Sequence, residues 1–191
     1  FCESKVNTVH LLLLLLIASS GSLVSGGMID LVCAVEVENV GRISVPEDHT
    51  FFLKLTCTTC RSEFPNAVAV SSDMVVEGVR GASVSLQLKC KGCDRQHDIT
   101  IQPFDAGNEW LPDKDEWQRL ATFECRGIDP VDCEVRDGFI VAAPDGTTYD
   151  DVDLSDEWMD VDEKGIPVAV NSFKYKFTAH KISKAEKRKK K

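Results

Sequence analysis

Two stretches decide the reading of this chain: FLKLTCTTC at 52–60 and SLQLKCKGC at 85–93. Each is a short run in which apolar and polar residues alternate, and each ends in C-x-x-C. Alternation with period two is the mark of a half-buried β-strand. Two thiolates three residues apart suit two corners of a tetrahedral metal site when the chain turns tightly between them. The full pattern is Cys57-x2-Cys60-x29-Cys90-x2-Cys93. The 29 intervening residues exceed the roughly 15–20 of a compact zinc ribbon, so that segment is expected to carry strands of its own. Gly92 is read as the residue that lets the second knuckle turn tightly.

Working outward, strands are expected at 29–37, 51–56, 67–70, 74–76, 83–89, 97–102, 120–125, 139–143 and 168–177. The breaks between them are Asn39-Val40-Gly41, a polar segment at 108–117 with Pro112 inside, and the Asp137-Gly138 turn. The acidic segment 149–164 is read as an irregular, solvated loop, since it lacks the residue order of a calcium-binding EF-hand loop. No stripe at helical period appears. The expected fold is all-β: one sandwich-like or barrel-like domain of short antiparallel strands, 28–180, in which a four-cysteine site joins two strand-end knuckles.

The chain has 191 residues, 43% hydrophobic and 28% charged, with a net charge of −9 and a pI near 4.9. That charge argues against a general nucleic-acid binder, which needs a cationic face. The basic end, 181–191, carries about +6, leaving about −15 on the rest. It is read as a disordered solubilising tail, with nuclear localisation as the alternative. Residues 1–27 contain LLLLLLI at 11–17, too short for the roughly 20 apolar residues of a membrane span. They are read as a signal-like segment or an upstream extension of the reading frame. The second is favoured because the first methionine is Met28.

Among the eight cysteines, Cys57, Cys60, Cys90 and Cys93 are the candidate metal ligands, for one structural zinc. Iron in the same four-thiolate set is not separated from zinc by sequence. Disulfides are the alternative if 1–27 is a working signal, and a pair of redox dithiols is a further one. Cys33 is read as a core residue, and Cys125 and Cys133 as no ligand pair. His97, four residues past Cys93, is a fifth candidate ligand or hydrogen-bond partner, but is read as a surface histidine. FLKLTC at 52–57 and ATFECRG at 121–127 faintly echo each other, which leaves two related halves as a minor reading. Four protein ligands leave no open metal position for a hydrolytic water, and no G-x-S-x-G, P-loop, HExxH or G-x-G-x-x-G motif is present. A non-enzymatic protein is therefore expected, acting through a protein partner. Thiol-redox or metal-transfer activity and a secreted disulfide-bonded module are the alternatives.

Beyond the two knuckles, FECRGIDPVD at 123–132 and DVDLSDEWMDVDEK at 151–164 are distinctive. Together they resemble the eukaryotic CXXC-motif-containing zinc-binding proteins over about residues 28–177. The resemblance implies a small all-β protein with one zinc on four cysteines, which map to Cys57, Cys60, Cys90 and Cys93. It also implies an intracellular protein that starts near Met28; the cytoplasm is the expected location, with the nucleus as the option the basic tail adds. A monomer with no membrane span is expected; secretion is expected only if 1–27 is a genuine signal peptide.

Overall fold

Alternation governs the longest strands. In a computed structural model that describes residues 27–78, 81–105 and 108–181, every regular element is a strand. The expected tail and the front segment 1–26 lie outside the described residues. In chain order the strands are β1 (Gly27–Glu38), β2 (Arg42–Ser44), β3 (Phe51–Cys57), β4 (Val68–Val70), β5 (Val76–Glu77), β6 (Ser83–Val84), β7 (Leu86–Lys89) and β8 (Gln96–Ile101). They continue as β9 (Glu109–Trp110), β10 (Gln118–Arg126), β11 (Ile128–Glu134), β12 (Phe139–Ala142), β13 (Thr148–Val152), β14 (Trp158–Val161) and β15 (Pro167–Ala179).

A six-stranded antiparallel sheet runs in the order β14-β15-β1-β10-β8-β7. Ile29, Leu31 and Cys33 of β1 point into the core, all at or below 3% exposure, as period-two alternation requires. A second sheet, β11-β3-β4, and a third, β13-β12-β2-β9, are also antiparallel. A small ribbon of β5 and β6 forms a fourth sheet, packed against β7 and β8.

Aromatic rings tie the sheets together. Phe51 of β3 meets Phe123 of β10 edge-on at 5.3 Å, and Phe139 of β12 meets Phe173 of β15 at 5.2 Å. Such pairs contribute about 0.5–1.5 kcal/mol beyond their buried area. One hydrophobic cluster draws residues from all three larger sheets.

The strand expectations hold for the long alternating runs and fail in instructive places. The run 83–89 is broken at Ser85, whose buried hydroxyl accepts the Ile101 N–H at 3.1 Å. Strand β9 lies inside the segment expected to be loop, and β2 is too short to show alternation. Strand β11 contains Pro130, opposite Leu55 of β3, and the ladder slips between Pro130 and Asp132. A proline survives there because the irregularity relieves it of donating a ladder hydrogen bond.

The acidic segment 149–164 is not a loop either: it contains most of β13 and all of β14. Its carboxylates cap turns. Asp153 accepts the Ser155 N–H at 2.8 Å, and Asp162 accepts the N–H groups of Lys164 and Ile166 at 2.9 and 2.8 Å. Aspartate at a turn that takes a backbone donor two residues on is ordinary turn chemistry.

Candidate metal centre

The site forms where two sheets are stitched together. Strand β3 runs into Cys57, and β7 runs into Cys90; both thiols are buried. Each cysteine opens a knuckle with the same backbone bonding. Cys57 N–H donates to the Ser62 carbonyl at 2.9 Å, and Arg61 N–H donates to the Cys57 carbonyl at 2.9 Å. In the second knuckle Cys90 N–H donates to Arg95 at 2.8 Å, and Asp94 N–H donates to Cys90 at 2.9 Å.

The residue after each second cysteine is left-handed, Arg61 at φ 62° and Asp94 at φ 59°. Aspartate tolerates that conformation; arginine adopts it at a cost of roughly 1–2 kcal/mol. The true internal echo of the chain is therefore 57–62 with 90–95. Strands β3 and β10, which carry the two similar-looking strings, lie in different sheets, and Cys125 of the second string is a core residue.

The thiols meet in crossed pairs. Cys57 Sγ lies 3.7 Å from Cys93 Sγ, and Cys60 Sγ lies 3.5 Å from Cys90 Sγ. Four ligands at Zn–S distances of ~2.3 Å make a tetrahedron with edges of about 3.8 Å. The donor set and its spacing thus fit a thiolate-bound metal. None of the seven described cysteines is in a disulfide.

Gly92 does not turn the knuckle with a positive φ, as the sequence suggested. Its role is close approach: a Cβ there would collide with Ser62 Oγ and reach 3.2 Å from Cys60 Sγ. Gly92 N–H also points at Cys90 Sγ, 3.3 Å away. Amide and hydroxyl donors around sulfur offset the negative charge of a thiolate set.

Ser62 sets the character of Cys60. Its hydroxyl, 3.2 Å from Cys60 Sγ, and then its backbone N–H hold the Cys60 thiol down to about 6. For Cys93, the Arg95 N–H works downward, but burial and the three neighbouring thiols outweigh it and push Cys93 up to about 11. Two cations that flank the knuckles, Lys54 and Lys89, are held in ion pairs. Lys54 pairs with Asp132 at 2.9 Å, and Lys89 pairs with Asp94 at 2.8 Å.

His97 is not a surface residue. It is 3% exposed on β8, with Nε2 only 3.2 Å from Cys57 Sγ. Burial, and then the charge of Arg95, lower its pKa against the pull of Asp98. Its nitrogen and the sulfurs of Cys57, Cys90 and Cys93 all lie within 4.8 Å of one another. This is the one group of metal-binding geometry among the described residues.

Gly127 makes room for His97. The chain passes from β10 of the six-stranded sheet to β11 of the three-stranded sheet through Gly127, at φ +75°. A Cβ at this position would collide with His97 Nδ1 and come within 3.0 Å of Cε1. The Gly127 carbonyl accepts the Thr58 N–H of the first knuckle at 3.1 Å, and the next residue, Ile128, pairs with Cys57. The glycine in CRGIDPVD was the available signal for a buried neighbour, but only the fold shows which neighbour.

Cys33, Cys125 and Cys133 are buried away from the site, and burial pushes each thiol up to about 12. They are core residues.

Residues 30–178 match the model of the family described as CXXC motif containing zinc binding protein, eukaryotic. The chain is 33% identical over 143 residues to the CXXC motif containing zinc binding protein of Bos taurus, covering 72% of this chain and 89% of that one. It is 32% identical over 130 residues to a UPF0587 protein of Dictyostelium discoideum, covering 68% and 82%. Among solved structures, that titled crystal structure of C1orf123 superposes with a TM-score of 0.73 at 28% identity, covering 81% of this chain and all of the other.

Proposed function

We propose that this chain, which belongs to the eukaryotic family of CXXC motif containing zinc binding proteins, holds one structural zinc on Cys57, Cys60, Cys90 and Cys93 and serves as a non-enzymatic scaffold for protein contacts. The observation that carries this reading is the crossed pairing of the thiols, 3.7 and 3.5 Å apart, each pair with one sulfur from each knuckle. A metal bound there joins β3 of one sheet to β7 of another. Zinc on such a set supplies about 10–16 kcal/mol toward folding at neutral pH, so its work is to hold the sheets together.

Four thiolates also leave no coordination position for a reacting water, which favours a structural over a hydrolytic role. Contacts with a partner are supported at the open edge of the six-stranded sheet. There Met159 and Val161 of β14 and Ile166 beside it are 72%, 54% and 47% exposed. Exposed apolar side chains on an end strand, here set among Asp156, Glu157, Asp160 and Glu163, are a natural docking place. A reducing compartment, cytoplasmic or nuclear, belongs to the same proposal, because the thiols must stay reduced to bind metal.

The test is metal content by mass spectrometry on protein purified reduced and without added zinc, alongside thermal melting. One zinc per chain is expected, with loss of zinc and a lower Tm in Cys90→Ser. Full zinc content and an unchanged Tm in that variant would overturn the assignment. Fast, reversible zinc release under mild oxidant would replace the scaffold with a metal-transfer role.

A further inference from the structure

The centre has more donors than a tetrahedron has corners. Four sulfurs and the His97 imidazole converge on it, yet the group mutually within 4.8 Å is Cys57, Cys90, Cys93 and His97, without Cys60. Cys60 touches the cluster through Cys90, at 3.5 Å, and is half-buried, as is Cys93, whereas Cys57, Cys90 and His97 are buried.

We propose that His97 is a reserve ligand that takes the corner of Cys60, so that the site keeps a tetrahedral Cys3His set when Cys60 is removed or drawn away. The proposal rests on the zinc reading above. Three features support it. His97 Nε2 is already 3.2 Å from Cys57 Sγ, so the imidazole need not cross the core to reach a metal. The missing Cβ at Gly127 leaves room for the ring edge at Nδ1 and Cε1. Cys3His is also a standard structural zinc set.

In the exchange Cys60 would leave as its thiolate, still beside the Ser62 hydroxyl. The Nε2 lone pair of neutral His97, in the tautomer with its proton on Nδ1, would take the vacated corner. With Cys60 bound, the same ring sits as a neighbour of the Cys57 thiolate. The arrangement suits a site whose outer thiol is exposed to oxidants, electrophiles or a partner's metal-binding thiols while the metal stays in place.

The test uses the full chain, with zinc content and cobalt substitution as readouts. Wild type, Cys60→Ala, His97→Gln, the double variant and Cys90→Ala are compared. Cys60→Ala is expected to keep one zinc, and its cobalt form to lose about a quarter of the thiolate-to-metal charge-transfer absorbance, three sulfurs replacing four. His97→Gln is expected to keep zinc and the wild-type cobalt spectrum. The double variant is expected to lose metal as fully as Cys90→Ala. If Cys60→Ala is as metal-free or as unfolded as Cys90→Ala, the reserve-ligand proposal falls while the zinc reading stands. If wild type itself holds no metal, the zinc reading falls and takes the proposal with it.

Discussion

Replacing Gly127 by alanine tests the coupling between the sheet crossing and the metal centre. Two penalties are expected. At φ +75° an alanine is strained by roughly 1–2 kcal/mol. Its Cβ would also collide with the buried His97 ring, and forcing an extra carbon into packed surroundings costs about 1–3 kcal/mol. The sum is about 2–5 kcal/mol. For a chain of this size each kcal/mol moves Tm by about 2–4 °C, so a fall of about 4–20 °C is expected in thermal melts at saturating zinc. Gly146→Ala is the control. Its φ is +100° and no atom lies within 4 Å of a new Cβ, so only the backbone penalty applies. The decisive comparison is Gly127→Ala in a His97→Ala background, where the collision partner is gone. There the cost should shrink to the backbone part, leaving a coupling of about 1–3 kcal/mol between the two sites. Equal costs in the two backgrounds would refute the claim that Gly127 is there to seat His97.

Two further outcomes are expected. Gly92→Ala should displace Ser62 from Cys60 and press on its sulfur, lowering zinc affinity by about 1 kcal/mol or more, a roughly fivefold change or larger in a chelator competition; an unchanged affinity would remove Gly92 from the site. Asp132 carries a pH dependence: burial alone would raise its pKa, but Lys54, the Tyr175 hydroxyl and the Cys133 N–H outweigh burial and hold it below the ordinary carboxylate value. A depressed folded-state pKa gives stability that is present above the unfolded-state value of about 3.9 and is lost as pH falls through the folded value. Asp132→Asn should therefore flatten the acid limb of stability below about pH 4, and an acid limb identical to wild type in urea titrations would refute that role.

How much of this was readable beforehand depended on locality. The knuckles were legible because a C-x-x-C pair carries its own geometry within a few residues. Strand β1 was legible because twelve residues are enough to show alternation. His97 was misjudged because its burial is made by Gly127, thirty residues further on, at a place where two sheets meet. Strand β11 was hidden by Pro130, which looks like a strand breaker until the slipped ladder opposite β3 is seen. Strands β13 and β14 were hidden by the aspartates in and beside them, of which Asp153 and Asp162 serve the flanking turns. For His97 and β11 a partner distant in sequence supplied what the local composition lacked.

The crossed thiol pairs also bear on how the chain can change. Cys60 and Cys90 bracket 29 residues, yet their sulfurs are 3.5 Å apart, so the excursion begins and ends at one bolted point. Its outer part exposes Met74, Val75 and Val76, while the buried Val84 of β6 seats the β5–β6 ribbon against β7 and β8. Lengthening a loop whose ends are already fixed costs little, about 0.6 kcal/mol for each doubling. A metal bound at the knuckles would thereby make this excursion a socket: at its exposed stretch 72–77 sequence could be lengthened or exchanged while both ends stay fixed.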